Sequence, residues 1–99
     1  MTPKSLDPEN PVTALDLGST FGCFEMEAAA AVLVNKGRGA VVHPDDFLEG
    51  ENHEALDGFV MLVAYGWVKT EDIEFGNGAF RAEPAFWKRL EKKGKVPRL

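Results

Sequence analysis

The chain has 99 residues, 44% of them hydrophobic and 10% aromatic, with a formal net charge of −5. That is enough apolar material for one core in one domain, and too much for a disordered chain. A single cysteine, Cys23, excludes an internal disulfide and a thiolate zinc site, and reads as a small core residue.

The opening stretch M-T-P-K-S-L-D-P-E-N-P lacks the apolar run of a signal peptide. The longest apolar stretch, Phe59 to Tyr65, is too short to span a bilayer. The expected setting is a soluble, cytoplasmic protein that does not engage a membrane. Residues 1–19 read as a Pro-containing arm. Pro3, Pro8 and Pro11 favour an extended path, while Val12, Leu15 and Leu17 suit a short turn lying on the body. Such an arm would also suit gripping a second copy. The body is expected over residues 20–94, with a short tail at 95–99.

The first long helix is expected from Gly22 or Cys23 to Lys36. Its run Ala28 to Val34 is apolar nearly all round, with Glu25, Glu27, Asn35 and Lys36 to face water, so it should be central. Gly37 and Gly39 end it, and Ala40-Val41-Val42 is a short β-leaning link. A short helix follows over 44–49, with Pro44 at its first position, Asp45 and Asp46 at the positive end of its dipole, and Phe47 and Leu48 inward.

A second long helix is expected over 52–65. Leu56, Phe59, Val60 and Val63 are spaced i, i+3, i+4, i+7, so they and Trp67 should pack on the first long helix. Asn52 is the expected N-cap and Gly66 the stop. Met61 and Tyr65 then fall on the outward side, with Glu54, Asp57 and Gly58 around them. After Trp67 the period changes to 2. A hairpin turning at Asn77-Gly78 would pair Phe75 with Phe80, Glu74 with Arg81 and Ile73 with Ala82. Pro84 opens a last helix with Phe86, Trp87 and Leu90 inward and Gly94 as its stop.

Helix, short strand, helix, turn, helix, hairpin: this order resembles the winged helix-turn-helix superfamily over roughly residues 22–83. The best local match is L-V-A-Y-G-W-V, Leu62 to Val68, which looks like the end of a recognition helix passing into a wing strand. Gly76-Asn77-Gly78 falls where a wing tip would be. The fold class expected is α+β, mainly α with a small β-hairpin: winged-helix-like, three helices, wing and a C-terminal helix.

The resemblance implies DNA binding, with residues 53–61 in the major groove and the wing tip on a phosphate backbone. Charge opposes that. From Gly39 to Glu74 there are nine acids and one base, Lys69, a net of −8. DNA affinity comes largely from Lys and Arg displacing phosphate counterions. Residues 84–99 are basic instead, with six Lys or Arg against Glu91. No constellation for catalysis is present. His43 with Asp45 and Asp46, and His53 with Glu54, lack a third soft ligand, so neither metal nor cofactor is expected.

The reading that follows is a non-catalytic binding module for a protein partner or a second copy, using Glu54, Asp57, Met61 and Tyr65 on the acidic helix-turn-helix face. The alternative is a DNA-binding transcriptional regulator using His53, Asn77, Arg81, Lys88 and Lys92.

Overall fold

The computed structural model describes residues 11–48, 53–71 and 78–95. In chain order the elements are α1 (Ala14–Leu17), α2 (Phe24–Lys36), β1 (Val41–Val42), a 3₁₀ turn (Pro44–Phe47), α3 (Glu54–Ala64), β2 (Val68–Thr70), β3 (Phe80–Ala82) and α4 (Pro84–Lys92). The class is α+β, compatible with a winged-helix-like arrangement: β1 lies between α2 and α3, β2 and β3 follow α3, the three strands form a small antiparallel sheet in the order β1-β3-β2, and α4 closes the described chain. None of the described helices is long and apolar enough to cross a membrane.

The alanine-rich α2 is the central element, as its all-round apolarity requires. Met26, Ala29, Ala30, Ala31, Leu33 and Val34 are buried on several of its sides. Glu27 departs from expectation. It is 3% exposed, because its carboxylate turns back to accept from the backbone N–H groups of Phe21 (2.9 Å) and Gly22 (3.0 Å). A buried carboxylate is tolerated when such donors replace water. Cys23, half-buried, is the N-cap of α2.

The segment before α2 lies on the body. Val12 and Leu17 are buried, while Leu15 faces solvent. The Asn35 amide fixes it, accepting from Val12 N–H and donating to Val12 C=O, each at 2.8 Å. The Thr20 hydroxyl donates to the Leu17 carbonyl, closing the turn. Residues 1–10 and 96–99 lie outside the described residues.

Three local expectations need correction. The short helix is a single 3₁₀ turn ending at Phe47, and Leu48 is exposed rather than inward. The turn is tightened by Asp46, which accepts from His43 N–H at 2.8 Å and sits 3.3 Å from the Lys36 ammonium. The N-cap of α3 is His53, in a left-handed conformation (φ 53°), so it and not Asn52 opens the helix; Asn52 lies outside the described residues.

The third correction is the strand register. Val68 pairs with Ala82, Lys69 with Arg81 and Thr70 with Phe80, and Glu71 N–H donates to Ala79 C=O. Phe80 therefore faces Thr70, not Phe75, and Arg81 faces Lys69, not Glu74. This register puts Val68 and Ala82 together in the core. It places two cations opposite each other, and acids neutralise both: Glu83 lies 3.0 Å from Lys69 and Glu71 lies 3.1 Å from Arg81. The expected turn residues Gly76 and Asn77 lie outside the described residues.

The core holds two aromatic chains. Phe59 stacks on Phe47 (4.4 Å between ring centroids) and meets Phe80 edge-on (4.9 Å). Phe21 stacks on Phe86 (4.9 Å) and meets Trp67 edge-on (5.2 Å). The second chain docks α4, whose Phe86, Trp87 and Leu90 are buried as the sequence indicates. The Arg38 guanidinium lies 5.1 Å from the centroid of the Trp87 ring and 2.6 Å from Glu91, and Arg89 donates to Thr20 C=O.

Candidate functional site

The face that α3 turns inward is Ala55, Gly58, Phe59 and Leu62, all buried. This is the expected i, i+3, i+4, i+7 spacing moved by one residue, a rotation of about 100°. Val60, expected in the core, is 60% exposed, and Leu56, Val63 and Trp67 are only partly buried. Packing distance decides the rotation. Ala55 and Gly58 let α3 approach α2 more closely than a Leu–Val stripe permits. A Cβ on Gly58 would stand 1.7 Å from the Glu25 carbonyl oxygen.

The rotation leaves Asp57, Val60 and Ala64 along the outward side of α3, with Met61 half-buried at its edge. Tyr65 caps the helix and is 72% exposed. Gly66 then takes a left-handed conformation (φ 82°), Gly66 N–H donates to Val63 C=O and Trp67 N–H to Leu62 C=O. These two bonds end the helix abruptly and turn Trp67 back beside Tyr65. Met61 and Tyr65 thus come together with Phe21, Cys23, Met26 and Trp67 around an open groove of about 490 Å³. The Cys23 thiol and Met61 thioether sulfurs are 3.7 Å apart.

Glu54 is placed at the other end of α3, in a second groove that it shares with Pro11, Thr13 and Ala14 of the N-terminal segment. Asp57 is exposed between the two ends. The residues considered for DNA are dispersed. His53 is exposed at the start of α3, Lys88 and Lys92 are exposed on α4, and Arg81 sits mid-sheet, paired with Glu71. Asn77 lies outside the described residues. Among the described residues, no three His, Cys, Asp or Glu side chains cluster to hold a metal ion.

Periodicity alone missed Val60 and Ala64 as outward residues and Phe21 and Cys23 as groove walls. The signal available was Gly58 itself. Glycine inside a helix costs roughly 1 kcal/mol relative to alanine, so its presence marks the side of closest approach.

Comparison with protein-family models, curated proteins and solved structures gives no match.

Proposed function

We propose that this chain is a non-catalytic binding module, akin to the winged helix-turn-helix superfamily in architecture, that captures a protein partner on the outward side of α3. The observation that supports this reading is the exposure of Tyr65 on an open groove walled also by Met61, Cys23 and Trp67. Scattered exposed apolar residues are ordinary, but an exposed tyrosine at the rim of a concavity lined by apolar side chains has the make-up of an interface centre. Tyrosine adds contact area and a hydroxyl at low entropic cost.

Placing a photo-reactive phenylalanine analogue at Tyr65, and separately at Lys88, tests this in extracts of the source cells. A discrete protein adduct at position 65 that is missing at position 88 is the expected result. Absence of any protein adduct at 65 counts against the reading.

The competing reading is a DNA-binding regulator. Its support is the helix, strand and sheet order together with the exposed Lys88 and Lys92 on α4. Against it stands the outward side of α3, where Asp57, Val60 and Ala64 offer no cation and no amide for base reading.

A further inference from the structure

The chain has one cysteine and three methionines, and Cys23, Met26 and Met61 all wall the same groove. Cys23 is the N-cap of α2, but its side chain makes no capping hydrogen bond. Its thiol is placed instead to donate to the Met61 thioether on α3, with the two sulfurs 3.7 Å apart. Met26 follows three positions later in the first turn of α2, the spacing at which N-cap and third-residue side chains share one side. Methionine sulfur is a soft donor, as thiolate sulfur is, so the groove gathers three side chains of one ligand class.

The rest of the lining selects the ion. Among the described residues it carries no carboxylate, no imidazole and no Lys or Arg. Magnesium and calcium require several oxygen donors, and zinc sites are built from imidazole, carboxylate and multiple thiolates. Thiolate and thioether sulfurs select Cu(I). A Cu(I)–thiolate pair is neutral, so it suits an apolar setting better than a divalent ion does. Phe21 and Trp67 supply that setting, and an apolar shell of this kind limits solvent access to a metal.

We propose that Cys23, Met26 and Met61 form a binding site for one Cu(I) ion. The ion takes the place of the thiol proton: the Cys23 S–H bond breaks, the proton leaves to solvent, and the thiolate and both thioethers bind the metal. No oxidation state changes. The Cys23–Met61 pair already has a suitable spacing. With metal–sulfur bonds of about 2.3 Å, sulfurs 3.7 Å apart enclose about 107° at the metal, close to the tetrahedral angle. The site goes beyond the protein-binding reading and does not rest on it; copper titration and crosslinking at position 65 can fail separately.

The test is an anaerobic titration of the reduced full chain with Cu(I), in competition with the chromophoric chelator bicinchoninate. Withdrawal of one equivalent from the chelator is expected. Cys23→Ser keeps the size of the side chain and supplies a preferred N-cap, and Met26→Leu and Met61→Leu nearly conserve volume, so all three are expected to keep the wild-type circular dichroism. Each should weaken Cu(I) at least about tenfold, because even the outer partners of metal ligands are worth about 10–100-fold in affinity. X-ray absorption at the copper edge should show a shell of sulfur alone.

Failure to withdraw Cu(I) from the chelator overturns the proposal. Binding that survives Cys23→Ser overturns it by placing the ion elsewhere. Binding lost on Cys23→Ser but unchanged in both leucine variants overturns it as a simple thiol adduct. Nitrogen or oxygen neighbours in the absorption spectrum overturn the three-sulfur site in the same way.

Discussion

Gly58 lies directly against the backbone of Glu25, with no room for a side chain: a Cβ there would meet the Glu25 carbonyl oxygen at 1.7 Å and its carbon at 2.3 Å. This contact sets the distance between α2 and α3 and so determines which side of α3 is core. Because the obstacle is backbone in the first turn of the central helix, it cannot swing aside as a side-chain tip would. Gly58→Ala is expected to destabilise the fold by at least about 3 kcal/mol, despite alanine's better helix propensity. Denaturant titration checks it; a stabilised variant would mean that α3 stands farther from α2 than described.

The rotation of α3 has its own paired test. Phe59 is buried between Phe47 and Phe80, so Phe59→Ala should cost about 3–5 kcal/mol. Its neighbour Val60 is 60% exposed, so Val60→Ser should change stability by no more than about 0.5 kcal/mol. The Leu56–Phe59–Val60–Val63 stripe would instead make both substitutions costly. Equal losses at the two positions would restore that stripe.

Much of the architecture could be read from local chemistry. Gly66 and Gly94 end their helices where expected, Pro84 opens α4, and the alanine-rich helix is central. What escaped reading depends on contacts between distant elements. The face of α3 follows from how near α2 comes, which Leu and Val periodicity does not encode. The strand register follows from burying Val68 with Ala82 and from the diagonal acids Glu71 and Glu83, not from a short turn signal at Asn77-Gly78. Glu27 was indistinguishable from a solvated helix acid until the Phe21–Gly22 backbone was brought to it. At the candidate site, the exposure of Tyr65 was legible, but Met61, expected opposite the core, is half-buried against it, and the groove beside them needs Phe21 and Cys23, far away in sequence.

The 3₁₀ turn carries a pH-dependent contribution. Asp46 is held below its ordinary carboxyl value of 3.8, chiefly by the hydrogen bond from His43 N–H and also by Lys36; partial burial works the other way. A depressed folded-state pKa means that Asp46 contributes its stability fully above the unfolded value. That contribution is lost as the pH falls through the folded value. Wild type should therefore lose more stability than Asp46→Asn when titrated from about pH 6 down to about pH 2, the difference being confined to the acid limb. Parallel acid limbs for the two proteins would remove Asp46 from the account of acid sensitivity.

The strained cap at His53 offers a stabilising substitution. Its φ of 53° is a left-handed conformation that an ordinary side chain adopts at a cost of roughly 1–2 kcal/mol and glycine adopts freely. The His53 side chain makes no cap hydrogen bond to the helix, so little is lost with it. His53→Gly should raise stability by up to about 1 kcal/mol, after deducting the greater freedom of glycine in the unfolded chain. A clear loss of stability would show that the imidazole makes a contact of its own.

The last expectation separates the protein-binding and DNA-binding readings. A helix that reads the major groove needs phosphate-binding cations nearby and amide or guanidinium groups toward the bases. On α3 and its N-cap the exposed positions are His53, Asp57, Val60 and Ala64, and Arg81 on β3 is already 3.1 Å from Glu71. The exposed Lys88 and Lys92 belong to α4. Random duplex DNA at physiological salt should therefore give no measurable complex below about 10 µM protein. Any weak binding at low salt should follow Lys88→Ala and Lys92→Ala rather than changes on α3. Fluorescence anisotropy with labelled duplex at several salt concentrations checks both points. A tight, salt-sensitive complex that disappears on mutating His53 or Asp57 would make α3 a DNA-reading helix and remove the basis for the protein-binding proposal.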